Sequence, residues 1–172
     1  MTKKKLPVSV SRPELLDADG RDQAFRTLVY DLLSLGARMQ EARDRLAKGI
    51  DVTGPQYAIV MAVAHMQDDE GGAGVRAVAR RLHVSGPFIT AQVNLLVKAN
   101  LVAKHPNPED GRGVSLRLTE QGEAQLEAMA PEIQRANDTF FGSLSVEDFR
   151  SLAEIVARLE ASTELAVRTP AD

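Results

Sequence analysis

The feature that most restricts this chain is its punctuation between residues 75 and 118. Residues 75–82 carry Arg76, Arg80 and Arg81 on what reads as a short helix. The next four residues, 83–86, form a turn in which Ser85 is placed to cap a second helix. Pro87 falls in that helix's first turn, where a missing N–H is harmless. Asn100 closes it as the non-glycine residue that best tolerates left-handed backbone. Two extended pieces follow, 102–105 and 114–118, the second alternating Val114, Leu116 and Leu118 with Ser115 and Arg117. Between them Pro106, Asn107, Pro108, Glu109, Asp110, Gly111, Arg112 and Gly113 are turn formers. Two helices joined by a tight turn and followed by a hairpin read as a helix-turn-helix with a wing.

Charge follows the same boundaries. The whole chain of 172 residues is nearly balanced, with 21 Lys+Arg against 24 Asp+Glu, yet residues 75–118 hold 7 basic and 2 acidic side chains. Residues 1–74 hold 10 and 11, and residues 119–172 hold 4 and 11. A basic module between acidic ends is expected where that module meets a polyanion, the plainer alternative being a solvated basic face.

The flanks read as helices. Residues 1–20 combine Lys3, Lys4 and Lys5 with two prolines and no periodicity, and are expected to be a mobile arm. In 21–50, Phe25, Leu28, Leu32, Leu35, Met39 and Leu46 recur at helical spacing until Gly49. Thr53 caps a run that is apolar nearly all round from Gln56 to Met66 and is therefore buried. Asp68, Asp69, Glu70, Gly71, Gly72 and Gly74 read as a flexible acidic loop. Thr119 starts a helix expected to break at Pro131. Ser145 and Asp148 suggest a capping box before a last helix striped with Phe149, Leu152, Ile155, Val156, Leu159 and Leu165. The expected fold is mainly α with a small β-hairpin wing: an arm (1–20), a first long helix (21–50), the winged lobe (51–119) and C-terminal helices (120–172).

On the second helix of the lobe, Ile89, Val93 and Leu96 share the side that must face the core. Pro87, Ala91, Asn94 and Lys98 then face outward, to meet base edges through Asn94, a thymine methyl through Ala91 and phosphate through Lys98. Ser85 reads as a cap and Thr90 as a hydroxyl donor to phosphate. Phe88 lies on a flank, beside Leu95, which is expected to pack inward. Lys104 on the hairpin belongs to the same DNA-facing set. At the wing tip Arg112 stands between two glycines, with Asp110 placed to hold its guanidinium, an arrangement suited to a minor groove.

These pieces, in this order, resemble the MarR family of winged-helix transcriptional regulators. The likeness is carried by Val52-Thr53-Gly54-Pro55-Gln56-Tyr57, Val78-Ala79-Arg80-Arg81-Leu82-His83-Val84-Ser85, Ile89-Thr90, Leu96, Asn100-Leu101-Val102, Pro108-Glu109-Asp110-Gly111-Arg112 and Leu116-Arg117-Leu118-Thr119-Glu120-Gln121-Gly122. The resemblance implies a homodimer whose terminal helices interlock, two lobes on a pseudo-palindromic double-stranded DNA operator, and release by a small, often aromatic, anionic effector. It carries Ser85, Thr90, Asp110 and Arg112 over to DNA-binding positions. Three departures stand out: Asn100 for a usual glycine, Gly111 for a usual second wing arginine, and Leu95 and Val97 where charges are common. A recognition helix this poor in positive charge implies a shallow salt dependence.

Arg38, Met39, Arg43, Met61 and His65 are the candidate effector contacts, around an adaptable pocket between Met39 and Met61. No cofactor or metal is expected: there is no Cys, and His65, His83 and His105 lie on three different elements. No nucleophile with a base partner and no phosphate-cradling glycine loop suggests an enzyme. A winged helix used only for protein contacts is the other alternative. The longest apolar run, 57–64, falls far short of the ~20 residues of a membrane span, so a cytoplasmic protein is expected.

Overall fold

Apolar spacing decides the core of the lobe. In the computed structural model, which describes residues 6–68, 73–106 and 113–168, Ile89, Val93 and Leu96 are at most 1% exposed. They lie on α4 (Gly86–Lys98), preceded by α3 (Val75–Arg81). Beside them α2 (Gly54–Met66) buries Tyr57, Ile59, Val60, Ala62 and Val63, as a helix apolar nearly all round must. Thr53 caps α2 in a full capping box with Gln56. Before it, α1 (Gln23–Lys48) ends at Gly49, but Gly49 has φ −66°, and the left-handed residue of this connection is Asp51, at φ 53°.

The sheet has three strands rather than the expected two. β1 (Ala73–Gly74), β2 (Val102–Pro106) and β3 (Val114–Leu118) run in the order β1-β3-β2, all antiparallel. Ala73, fully buried, pairs with Leu116, and Gly74 with Ser115, so the end of the expected acidic loop is a strand. Residues 69–72 of that loop lie outside the described residues, as do the wing tip, 107–112, and Lys3, Lys4 and Lys5.

The N-terminal segment differs from the expected arm over residues 6–20. It carries a short 3-10 helix, Pro13–Leu15, and is hydrogen-bonded to the start of α1. The amide and hydroxyl of Ser9 both donate to Asp22 Oδ2 at 2.6 Å, and Arg26 donates to Asp22 Oδ1 at 2.9 Å and to the Pro7 carbonyl at 2.6 Å. Asp17 accepts from the amides of Gln23 and Ala24, placing a carboxylate on otherwise unpaired donors at the helix start. The Arg26 guanidinium, then Ser9, hold the Asp22 carboxyl far below the usual carboxylate range.

Two compact units divide the chain, 1–127 and 128–172. α5 (Glu120–Phe141) runs through Pro131 without the expected break, because one missing bond, to the carbonyl four residues back, does not end a helix whose pattern continues on both sides. α6 (Val146–Arg168) begins at the expected capping box: Ser145 and Asp148 bond each other's backbone amides, and the Ser145 bonds lower the Asp148 carboxyl's pKa. Among the described residues no helix is long and apolar enough to cross a membrane.

Candidate nucleic-acid interface

α4 presents one helix face to the core and the other to water. Opposite Ile89, Val93 and Leu96, the side chains of Pro87, Ala91, Asn94 and Lys98 are all exposed, as the spacing predicts. Ser85 Oγ accepts from the Phe88 amide at 3.3 Å, which makes it the cap and leaves its own O–H free to donate outward. Thr90 departs from the expectation: its hydroxyl donates to the Gly86 carbonyl at 3.0 Å, so a phosphate would have to displace that bond. Leu95 also departs, being 47% exposed rather than packed, and Phe88 on the same flank is 38% exposed. Between them Gln92 accepts from Gln56 Nε2, which ties α4 to the capping box of α2. Lys104 of β2 reaches α4, its Nζ donating to Asn94 Oδ1 at 2.6 Å. Asp110 and Arg112 lie outside the described residues.

The far end of α4 is anchored by backbone geometry. Asn100 takes the left-handed conformation, φ 56°, and its side-chain amide donates to Gln121 Oε1 at 2.9 Å. Thr119 donates its amide to the Leu101 carbonyl and its hydroxyl to the Asn100 carbonyl, and accepts from Gly122 N. His83, in the turn before α4, is also left-handed, at φ 52°.

A cavity of about 210 Å³ opens beside the lobe, lined by Arg43 of α1, Met61, His65 and Met66 of α2, and Arg81 of α3. Three of the five candidate effector contacts, Arg43, Met61 and His65, meet there. Arg38 and Met39 do not line it: Arg38 pairs with Glu41 at 2.8 Å and Met39 is exposed on α1. His65 is exposed rather than a core histidine.

Residues 50–113 match the MarR family. That segment is a winged helix-turn-helix similar to those of the MarR family. Among curated MarR-type relatives, it is 25% identical over 132 residues to the HTH-type transcriptional repressor MdtR of Bacillus subtilis, covering 77% of this chain and 84% of that protein. The S. aureus MepR–DNA complex shares the fold at a TM-score of 0.65 and 20% identity, covering 78% of this chain and 96% of that one. The Streptomyces coelicolor transcriptional regulator PcaV, in complex with its natural ligand, aligns at a TM-score of 0.56 and 27% identity over 75% of this chain and 91% of that one. These relatives are transcriptional regulators rather than enzymes.

Two features of the site escaped the sequence. Arg81, read only as part of a basic helix, faces the cavity, and Gln92 links α4 to α2. Neither has a signal in spacing, since each depends on which helix lies opposite.

Proposed function

We propose that this protein is a cytoplasmic, sequence-specific DNA-binding repressor that acts as a homodimer on a pseudo-palindromic operator and is released by a small anionic ligand. The exposed face of α4 carries this reading. Pro87, Ala91, Asn94 and Lys98 stand in water on a helix fixed by its cap, its core stripe and its left-handed end, the form required of a helix that enters a major groove. Arg76 and Arg80, exposed on α3, supply positive charge where the first helix of such a motif crosses the phosphate backbone.

The dimer reading rests on apolar faces left in water. On α1, Leu28, Leu32, Leu33 and Leu35 are each at least 44% exposed, and on α6 Phe149, Ile155, Val156 and Leu159 likewise. Contiguous faces of this kind mark association surfaces. The effector reading rests on the cavity, where Arg43 and Arg81 offer positive charge and His65 a polar ring beside Met61 and Met66. Its volume, about 210 Å³, is smaller than the ~300–1,000 Å³ of ordinary ligand pockets, which favours a ligand the size of a single ring with an acid group. Such a ligand would touch α2 and the first helix of the DNA-binding pair together. It would shift the population of lobe positions by its differential affinity for them.

The test is binding of labelled duplexes from upstream of its own and neighbouring genes, by fluorescence anisotropy at ~150 mM salt. Wild type should prefer one fragment over scrambled DNA by at least ~10³, and the paired substitutions Asn94→Ala and Arg112→Ala should abolish the preference. Undiminished binding by the double variant, or none by wild type, would hand the module to protein contacts.

A further inference from the structure

Lys104 leaves its strand in an unexpected direction for a wing lysine. In β2, Val102 pairs with Leu118 and Lys104 with Leu116, and cross-strand partners lie on one face of a sheet. Val102 and Leu116 are at most 1% exposed, so Lys104 stands on the inward face, one step beyond the end of the core. From there its side chain reaches α4. There Nζ meets Asn94 Oδ1 at 2.6 Å, a charge-assisted bond between two exposed residues.

An ammonium donates and never accepts, so its partner on Asn94 must be the oxygen. The carboxamide orientation is thereby set: the oxygen turns toward β2 and the NH2 group away from it. An asparagine free to rotate reads adenine by accepting from N6 and donating to N7. Here one lone pair of the oxygen is engaged and the oxygen is drawn toward β2, so the part of the carboxamide turned away from the strand is the NH2 group, with its two donors. The major-groove edge that answers two donors is guanine, whose N7 and O6 are adjacent acceptors.

We infer that Lys104 is a positioning residue that fixes the Asn94 carboxamide as a donor, so that Asn94 selects guanine over adenine at one position of each half-site. This rests on the reading of α4 as the helix that enters the major groove. The alternative use of Lys104, a direct phosphate contact, has a different signature: a phosphate lysine weakens every sequence alike and lowers the salt slope by about one per lobe.

The experiment measures binding of full-length wild type, Lys104→Met and Asn94→Ala to the best-bound duplex and to its single-base variants, across a salt series. Met keeps the stem and removes the ammonium, and unchanged thermal unfolding would confirm that the variant folds. Lys104→Met should lose about tenfold in guanine-over-adenine preference at one half-site position. Asn94→Ala should lose preference at the same position, the double variant should lose no more than either, and the salt slope should stay unchanged. An even loss over all duplexes with a slope lower by about one per lobe would overturn the inference while leaving the proposed function standing. A preference for adenine at the Asn94-dependent position would overturn it equally. Absence of any sequence preference in wild type would overturn the proposed function, and the inference with it.

Discussion

Gly122 sits where α5 passes the end of α4, and a methyl group there has no room. A Cβ built on it falls 2.3 Å from the Leu101 carbonyl oxygen and 3.2 Å from that carbonyl carbon, both backbone atoms that cannot rotate aside. Restoring an ordinary contact requires about 1 Å of movement between the two segments. That shift strains the Thr119 amide's bond to Leu101, now 3.1 Å, and the Asn100–Gln121 bond, now 2.9 Å. Overpacking costs ~1–3 kcal/mol and each weakened hydrogen bond ~1 kcal/mol, while alanine's better helix propensity returns at most ~1 kcal/mol. Gly122→Ala should therefore destabilise by about 2–3 kcal/mol. In urea, with a slope of ~2 kcal/mol/M, the midpoint falls by about 1–1.5 M, compared at one protomer concentration because association adds to stability. Gly36, in α1 with nothing within 4 Å of a built Cβ, is the control, and Gly36→Ala should gain ~0.5–1 kcal/mol. Gly122→Ala matching that gain would refute the close-approach argument.

Other positions give separate tests. Asn100→Gly keeps the left-handed turn and loses only the Gln121 bond, so it should unfold within ~1 kcal/mol of wild type, whereas Asn100→Val, β-branched at φ 56°, should cost ~2 kcal/mol. Because the Asp22 carboxyl is held below its ordinary value, its contribution is complete above ~pH 4 and is lost only as pH falls through the lower folded value. Exchange protection at the Ser9 amide, corrected for intrinsic rates, should thus be flat from pH 8 to 5, and a loss within that range would contradict the assignment. Leu159→Glu on the exposed α6 stripe should convert a dimer to monomers at micromolar concentration in sedimentation velocity. A wild type that sediments as a monomer would remove the dimer from the proposal.

Local chemistry was legible and long-range pairing was not. Ser85, Thr53 and the Ser145–Asp148 pair announce helix starts because the capping bond spans three residues. Ile89, Val93 and Leu96 announce a buried face because helical periodicity is a property of one segment. Asn100 was readable as left-handed, but its tie to Gln121 was not, since the two meet only when α5 returns past α4. β1 is two residues long, too short to show a period, and is a strand only because Leu116 and Ser115 lie beside it. The N-terminal segment looked featureless because its hold on Asp22 comes from Ser9, thirteen residues away. Leu95 was misplaced because hydrophobicity argues for burial while only the neighbouring elements decide whether that flank of α4 is covered.

The central claim is that two copies of α4 enter successive major grooves of one operator. Methylation protection by dimethyl sulfate reads guanine N7 in the major groove directly. The account predicts protection of guanines in two patches about one helical turn apart, ~10 base pairs, on the fragment that binds, with protection lost at one guanine of each patch in Asn94→Ala. Tight binding with every guanine N7 equally reactive would show that α4 stays out of the groove and would contradict it.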